Sequence, residues 1–228
     1  MYEIVKGAIE REGLIVIVRR LYGEALMKLA GALNDGGVKL MEVTFDQADP
    51  DCLNKTAEAI RSLNALMAGR MTFGAGTVLT PEQVRVAGAA GAQFIISPNA
   101  DPQVIAETRR LKLVSIPGTM TPSEMMLAAN CGADFIKLFP AGDLGLKYLK
   151  NVRAPLSHLK FIATAGVTLD NFEDWLRAGC VGAGVSGALT KRELVDAGDW
   201  QELTNRAKAF CGIVTKVRGE AKEARQGK

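Results

Sequence analysis

Short apolar runs alternate along the chain with longer stretches of helical period. The first run, Leu14-Ile15-Val16-Ile17-Val18, is continuous enough to be a strand buried on both faces. Seven more follow, at residues 40–45, 71–75, 94–97, 113–116, 135–139, 161–163 and 182–185, each trailed by a segment rich in Ala, Leu and Glu or Lys. Glycines close several of these segments just before a strand, as in Asp35-Gly36-Gly37, Ala90-Gly91, Cys131-Gly132 and Ala178-Gly179, where a helix stop is expected. Starts are equally legible at Thr80-Pro81-Glu82, Asp101-Pro102, Thr121-Pro122-Ser123-Glu124 and Thr168-Leu169-Asp170. Eight strand-helix repeats in 228 residues predict one closed (β/α)8 TIM barrel. The other architecture for such a pattern, an open doubly wound sheet, lacks its glycine fingerprint here, because Arg19-Arg20 follow the first strand.

Residues 1–13 read as a short helix with Ile4, Val5, Ala8 and Ile9 on one face, packing across an end of the barrel. The barrel is expected over residues 14–218, and residues 219–228 form a polar tail expected to fray. The 28 basic and 25 acidic residues leave a formal charge of +3 without a basic stripe, so small-molecule partners are expected and nucleic acid is not. No apolar run approaches the roughly 20 residues that cross a bilayer. Four scattered cysteines and a charged opening stretch suggest a reduced, cytoplasmic protein. No metal or other cofactor is expected: His158 is the sole histidine, in a polar loop, and the cysteines are not spaced for zinc.

The apolar strands contain two misplaced charges. Lys137 lies within Phe135-Ile136-Lys137-Leu138-Phe139, and Glu42 follows Leu40-Met41. Alternation puts Phe135, Lys137 and Phe139 on one face, and Leu40, Glu42 and Thr44 on one face. A lysine stripped of hydration loses basicity and becomes a nucleophilic amine near neutral pH. A lysine snorkelling from an edge strand is the plainer reading, but a closed barrel has no edge. Two buried opposite charges on separate strands suggest a nucleophile and an acid/base, with a structural ion pair as the alternative.

Glu42-Val43-Thr44, Gly74-Ala75-Gly76-Thr77-Val78-Leu79, Ile96-Ser97-Pro98 and Phe135-Ile136-Lys137-Leu138-Phe139-Pro140-Ala141 occur in order. On these four motifs the chain resembles the 2-keto-3-deoxy-6-phosphogluconate (KDPG) and 4-hydroxy-2-oxoglutarate (KHG) aldolase family, over nearly its whole length. The resemblance implies that Lys137 forms an imine with a 2-keto-3-deoxy acid and that Glu42 moves protons. It implies substrate-binding roles for Thr77, Pro98, Phe139, Gly166 and Ser186, with Gly166 and Ser186 at a phosphate, while Arg19, which ends the first strand at the same mouth, is placed to pair bidentately with a carboxylate or phosphate. It also implies a homotrimer. Many relatives read E-V-T-x-R, with the arginine on the substrate carboxylate. Here Asp46 stands in that place, so either Arg19 takes over the contact or the substrate differs. Arg20 is expected to point away. Relatives also carry Gly-Gly where this chain has Ala165-Gly166. A sugar-phosphate isomerase or epimerase on the same barrel, and a barrel that binds a sugar-acid phosphate without turnover, are the alternatives that the residues leave open.

Overall fold

A computed structural model describes residues 1–226. The opening helix α1 (Tyr2–Glu12) leads into β1 (Leu14–Val18), and strand-helix units follow: α2 (Gly23–Asp35), β2 (Leu40–Thr44), α3 (Cys52–Leu66), β3 (Thr72–Gly76), α4 (Pro81–Ala89), β4 (Phe94–Ile96) and α5 (Pro102–Arg110). The next strand is split into β5 (Val114–Ile116) and β6 (Gly118–Thr119), followed by α6 (Pro122–Asn130), β7 (Ile136–Leu138), α7 (Ala141–Arg153), β8 (Phe161–Thr164), α8 (Phe172–Arg177), β9 (Gly182–Val185), α9 (Arg192–Ala197) and α10 (Trp200–Gln226).

All the strand pairs are parallel, in the order β5-β4-β3-β2-β1-β9-β8-β7-β6. The two ends of that order are one stretch of chain interrupted at Pro117. Proline has no N–H to donate to a ladder, so the strand breaks there, yet both halves stay bonded to their neighbours. Ser97 N–H donates to the Ile116 carbonyl on one side at 3.3 Å, and Lys137 N–H donates to the Pro117 carbonyl on the other at 3.0 Å. Counting β5 and β6 as one, eight strands close the circle, as the eight apolar runs predict.

Side-chain alternation divides the core in two. Ile15, Leu40, Phe94, Ile96, Val114, Ile116, Phe135 and Ile162 fill the barrel interior, and Val5, Ala8 and Ile9 of α1 close its lower end. Intervening residues such as Val16, Met41, Val43, Phe73, Ile95, Leu138 and Phe161 face the outer helices. The helix was expected to bury Ile4 as well, but Ile4 is 70% exposed, because only the stripe through Val5, Ala8 and Ile9 meets the barrel.

Caps appear where the sequence places them. Thr80 accepts the Gln83 N–H, Asp101 accepts those of Gln103 and Val104, and Thr121 with Glu124 forms a reciprocal capping box. The start at Thr168 is different. Asn171 accepts the Thr168 N–H through Oδ1 at 2.9 Å, which makes residues 168–171 a turn and delays α8 to Phe172. The stretch from Gly219, expected to fray, continues α10 through Gln226. Good helix formers and an Arg177–Glu220 ion pair at 2.7 Å support it, while residues 227–228 lie outside the described residues.

Phe94 is fully buried inside the barrel. Phe94→Ala is expected to lower stability by about 3–5 kcal/mol, read as a lower urea midpoint at unchanged slope.

Candidate active site

The inner face carries apolar side chains from its closed lower end upward, and then turns polar. Register pairs Glu42 with Ile17 and Gly74, and Lys137 with Gly118 and Ile162, and on its own strand each charged residue stands one inward position above an apolar one, Leu40 or Phe135. Glu42 is 2% exposed and Lys137 is 7% exposed. They form no direct ion pair or hydrogen bond with each other, and their charges act on one another across a longer distance. Among the described residues the Glu42 Oε2 has no hydrogen-bond partner. A polar atom left so in a protein interior is costly, and is kept where something else must meet it.

Burial raises the Glu42 carboxyl from its usual 4.5 to about 7, with Lys137 and then Arg19 opposing. Burial likewise lowers the Lys137 ammonium below its usual value; Glu42 pulls against that shift and Arg19 adds to it. Each group is therefore moved towards neutrality by the same lack of water, and each is a candidate for proton or nucleophile chemistry near neutral pH. The Lys137 Nζ lies 4.8 Å from the centre of the Phe139 ring, so that residue forms a wall of the lysine's environment.

Glu42 fits because β3 is bare beside it. A methyl group on Gly76 would stand 2.5 Å from Glu42 Oε1, so the glycine is what admits the carboxylate. Thr77, next in the chain, has φ 54, an uncommon left-handed conformation for a β-branched residue. It ends β3 at the mouth. Pro98 follows β4 at the same rim, half-buried, and Arg19 leaves β1 exposed, with no side-chain hydrogen bond or ion pair among the described residues. Arg19 is nonetheless close enough to influence both buried groups.

Gly166 and Ser186 follow β8 and β9, which are hydrogen-bonded neighbours with Thr164 beside Gly184. Both Ala165 (φ 69) and Gly166 (φ 75) are left-handed. Ala165 thus adopts the turn that a glycine would take more readily, and the turn survives the change. A methyl group on Gly166 would stand 2.6 Å from the Gly142 Cα, so this loop packs directly on the start of α7. The Ser186 hydroxyl shares a hydrogen bond with that of Thr190 at 3.2 Å.

The structure adds detail to the sequence reading at two places. Arg20, expected to point away, stays exposed and its guanidinium grips Asp46, Nε to Oδ2 at 2.7 Å. Asp46 is thereby committed to an arginine of the neighbouring loop. The inward-facing Thr44 and Thr164, both buried, had no role assigned, although strand parity with Glu42 and Ile162 places them on the inner face. Among the described residues no three His, Cys, Asp or Glu side chains gather as a metal site requires.

Residues 6–206 match the family model for KDPG and KHG aldolase. The 2-dehydro-3-deoxy-phosphogluconate aldolase of Treponema pallidum is 34% identical over 208 residues, covering 91% of this chain and 96% of that protein. The 2-dehydro-3-deoxy-6-phosphogalactonate aldolase of Escherichia coli is 32% identical, covering 77% and 83%. The solved KDPG aldolase of Legionella pneumophila, with pyruvate captured at low pH as a covalent carbinolamine, is similar at a TM-score of 0.80 and 28% identity, covering 90% of this chain and 97% of that one. An inward lysine and carboxylate on a closed barrel, in a chain matched along almost all of its length, thus meet the comparisons at every level, and the chain belongs to the KDPG and KHG aldolase family.

Proposed function

We propose that this chain is a Schiff-base aldolase that cleaves a 2-keto-3-deoxy-6-phospho sugar acid to pyruvate and glyceraldehyde 3-phosphate. The observation that carries the reading is Lys137, an amine inside a closed barrel, held off its ordinary basicity by burial and within electrostatic reach of the buried Glu42 carboxylate. The covalent pyruvate carbinolamine in the Legionella relative supports it.

In this reading the neutral Lys137 amine attacks the C2 ketone, and proton transfer followed by loss of water yields an iminium. Glu42, ionised, takes the proton of the C4 hydroxyl as the C3–C4 bond breaks, and the bonding pair moves into an enamine stabilised by the iminium nitrogen. The aldehyde leaves. Glu42 returns the proton to C3, and water releases pyruvate and the free amine. The iminium is the electron sink, so the residues suffice without a metal. Arg19 and Thr77 hold the substrate carboxylate, Pro98 and Phe139 shape the walls, and Gly166 and Ser186 offer backbone and hydroxyl donors to the phosphate.

The same residues accommodate 4-hydroxy-2-oxoglutarate, split to pyruvate and glyoxylate, as a second substrate. A cytoplasmic setting and a homotrimer complete the proposal; Met120 and Leu127, apolar and exposed on either side of the start of α6, supply surface for subunit contact. Sedimentation at micromolar concentration measures that assembly, with three copies as the outcome.

Incubation with pyruvate and borohydride is expected to leave a reduced pyruvyl adduct on Lys137, located by peptide mapping, and none on Lys137→Ala. Pyruvate that binds but forms no adduct across neutral pH overturns the mechanism. Glu42→Gln is expected to lower kcat by about 10²–10⁴-fold while keeping measurable pyruvate binding. Glu42 must be ionised to accept a proton, and its carboxyl is raised to about 7, so kcat/KM is expected to climb as pH rises through about 7 and flatten above it. A pH-rate profile that lacks this limb removes Glu42 as the base.

A further inference from the structure

Two neighbouring loop residues reach out from the mouth in opposite directions. Asp46 and Gln47 lie between β2 and α3. The Asp46 carboxylate receives both Arg20 Nε, at 2.7 Å, and Arg20 Nη2, at 3.1 Å, a two-pronged contact to the loop after β1. Gln47 Nε2 donates to the Thr77 carbonyl at 2.7 Å, in the loop after β3. The Gln47 amide oxygen in turn accepts from Gln83 Nε2 at 3.0 Å, and Gln83, 5% exposed, accepts the Leu79 N–H through its own oxygen at 2.7 Å. One strap therefore joins three consecutive loops.

Both outer anchor points are strained in the same sense. Arg20 has φ 50 and Thr77 has φ 54, left-handed values that side chains with a Cβ seldom adopt unless neighbouring contacts hold them. Arg20 is the residue next to Arg19, and Thr77 is itself a proposed substrate contact. The side-chain contacts of Asp46 and Gln47 thus fall on the two turns whose conformation sets where Arg19 and Thr77 point. Asp46 also neutralises Arg20, which leaves Arg19 as the unengaged guanidinium at this part of the rim.

We infer that Asp46 and Gln47 are positioning residues, which hold the turns after β1 and β3 so that Arg19 and Thr77 converge on the carboxylate of a 2-keto acid. The inference rests on the proposed aldolase reading for the identity of the ligand. It makes Asp46 part of the device that orients a different arginine.

The test measures pyruvate affinity by ligand-observed NMR and, separately, the rate of borohydride trapping at saturating pyruvate, together with the melting temperature. Asp46→Ala and Gln47→Ala are each expected to weaken pyruvate binding about tenfold with a much smaller change in the saturated trapping rate, because Lys137 is untouched. Arg20→Ala combined with Asp46→Ala is expected to be no worse than Asp46→Ala alone, since both remove one contact. The reversed pair, Arg20→Asp with Asp46→Arg, is expected to recover affinity in part. Unchanged affinity in Asp46→Ala, fully additive losses, or a fall in affinity matched by an equal fall in melting temperature and trapping rate overturns the inference. Binding that depends on Asp46 without any adduct in the unaltered protein would sink the aldolase reading and leave the strap standing.

Discussion

Loss of water around Lys137 and Glu42 is the constraint on which the site depends. Each ion removed from water costs several kcal/mol in a protein interior even after relaxation. Nothing in the barrel repays that through a direct ion pair, and among the described residues Glu42 Oε2 has no partner. The two groups respond by shifting towards their neutral forms, which favours the free amine of Lys137 and brings the titration of Glu42 to about 7, where a carboxyl can both take and give a proton. The cost to stability and the reactivity have one origin.

Barrel closure creates that environment. Parallel strands with helices outside and side chains inside leave no wet edge, so a lysine at an inward position has no route along which to snorkel. The lower half of the interior is sealed by Phe94, Phe135 and the aliphatics around them, with α1 beneath. The upper half is opened by glycines, and Gly76 shows the scale of the need, since one methyl group there would displace the Glu42 carboxylate. Function is confined to the strand ends because only there does the packed core give way to loops.

Those loops are held by side chains as well as by their own turns. The Arg20–Asp46 contact and the Thr77–Gln47–Gln83 chain tie together the turns after β1, β2 and β3, while the Ala165-Gly166 turn leans on Gly142 at the start of α7. Asp46, an acid, cannot hold a carboxylate, but it holds Arg20, while Arg19 makes no side-chain hydrogen bond or ion pair among the described residues.

Eight strands, their helix caps and the two misplaced charges were legible in the sequence, because apolar period, capping chemistry and the rarity of a charge within an apolar strand are local properties. The inward direction of Lys137 and Glu42 followed from alternation once closure was assumed. The exposure of Ile4 and the helical continuation beyond Gly219 were not, since each depends on a packing partner or an ion pair elsewhere in the chain, and the delayed start of α8 turns on which of several local polar groups Asn171 engages. The partner of Asp46 lies 26 residues away, on another loop. Local pattern determined which residues form the barrel and which two charges it buries. Only the tertiary structure decided which arginine is engaged and which is left free, because a long, flexible guanidinium takes whichever carboxylate the closed barrel brings within reach.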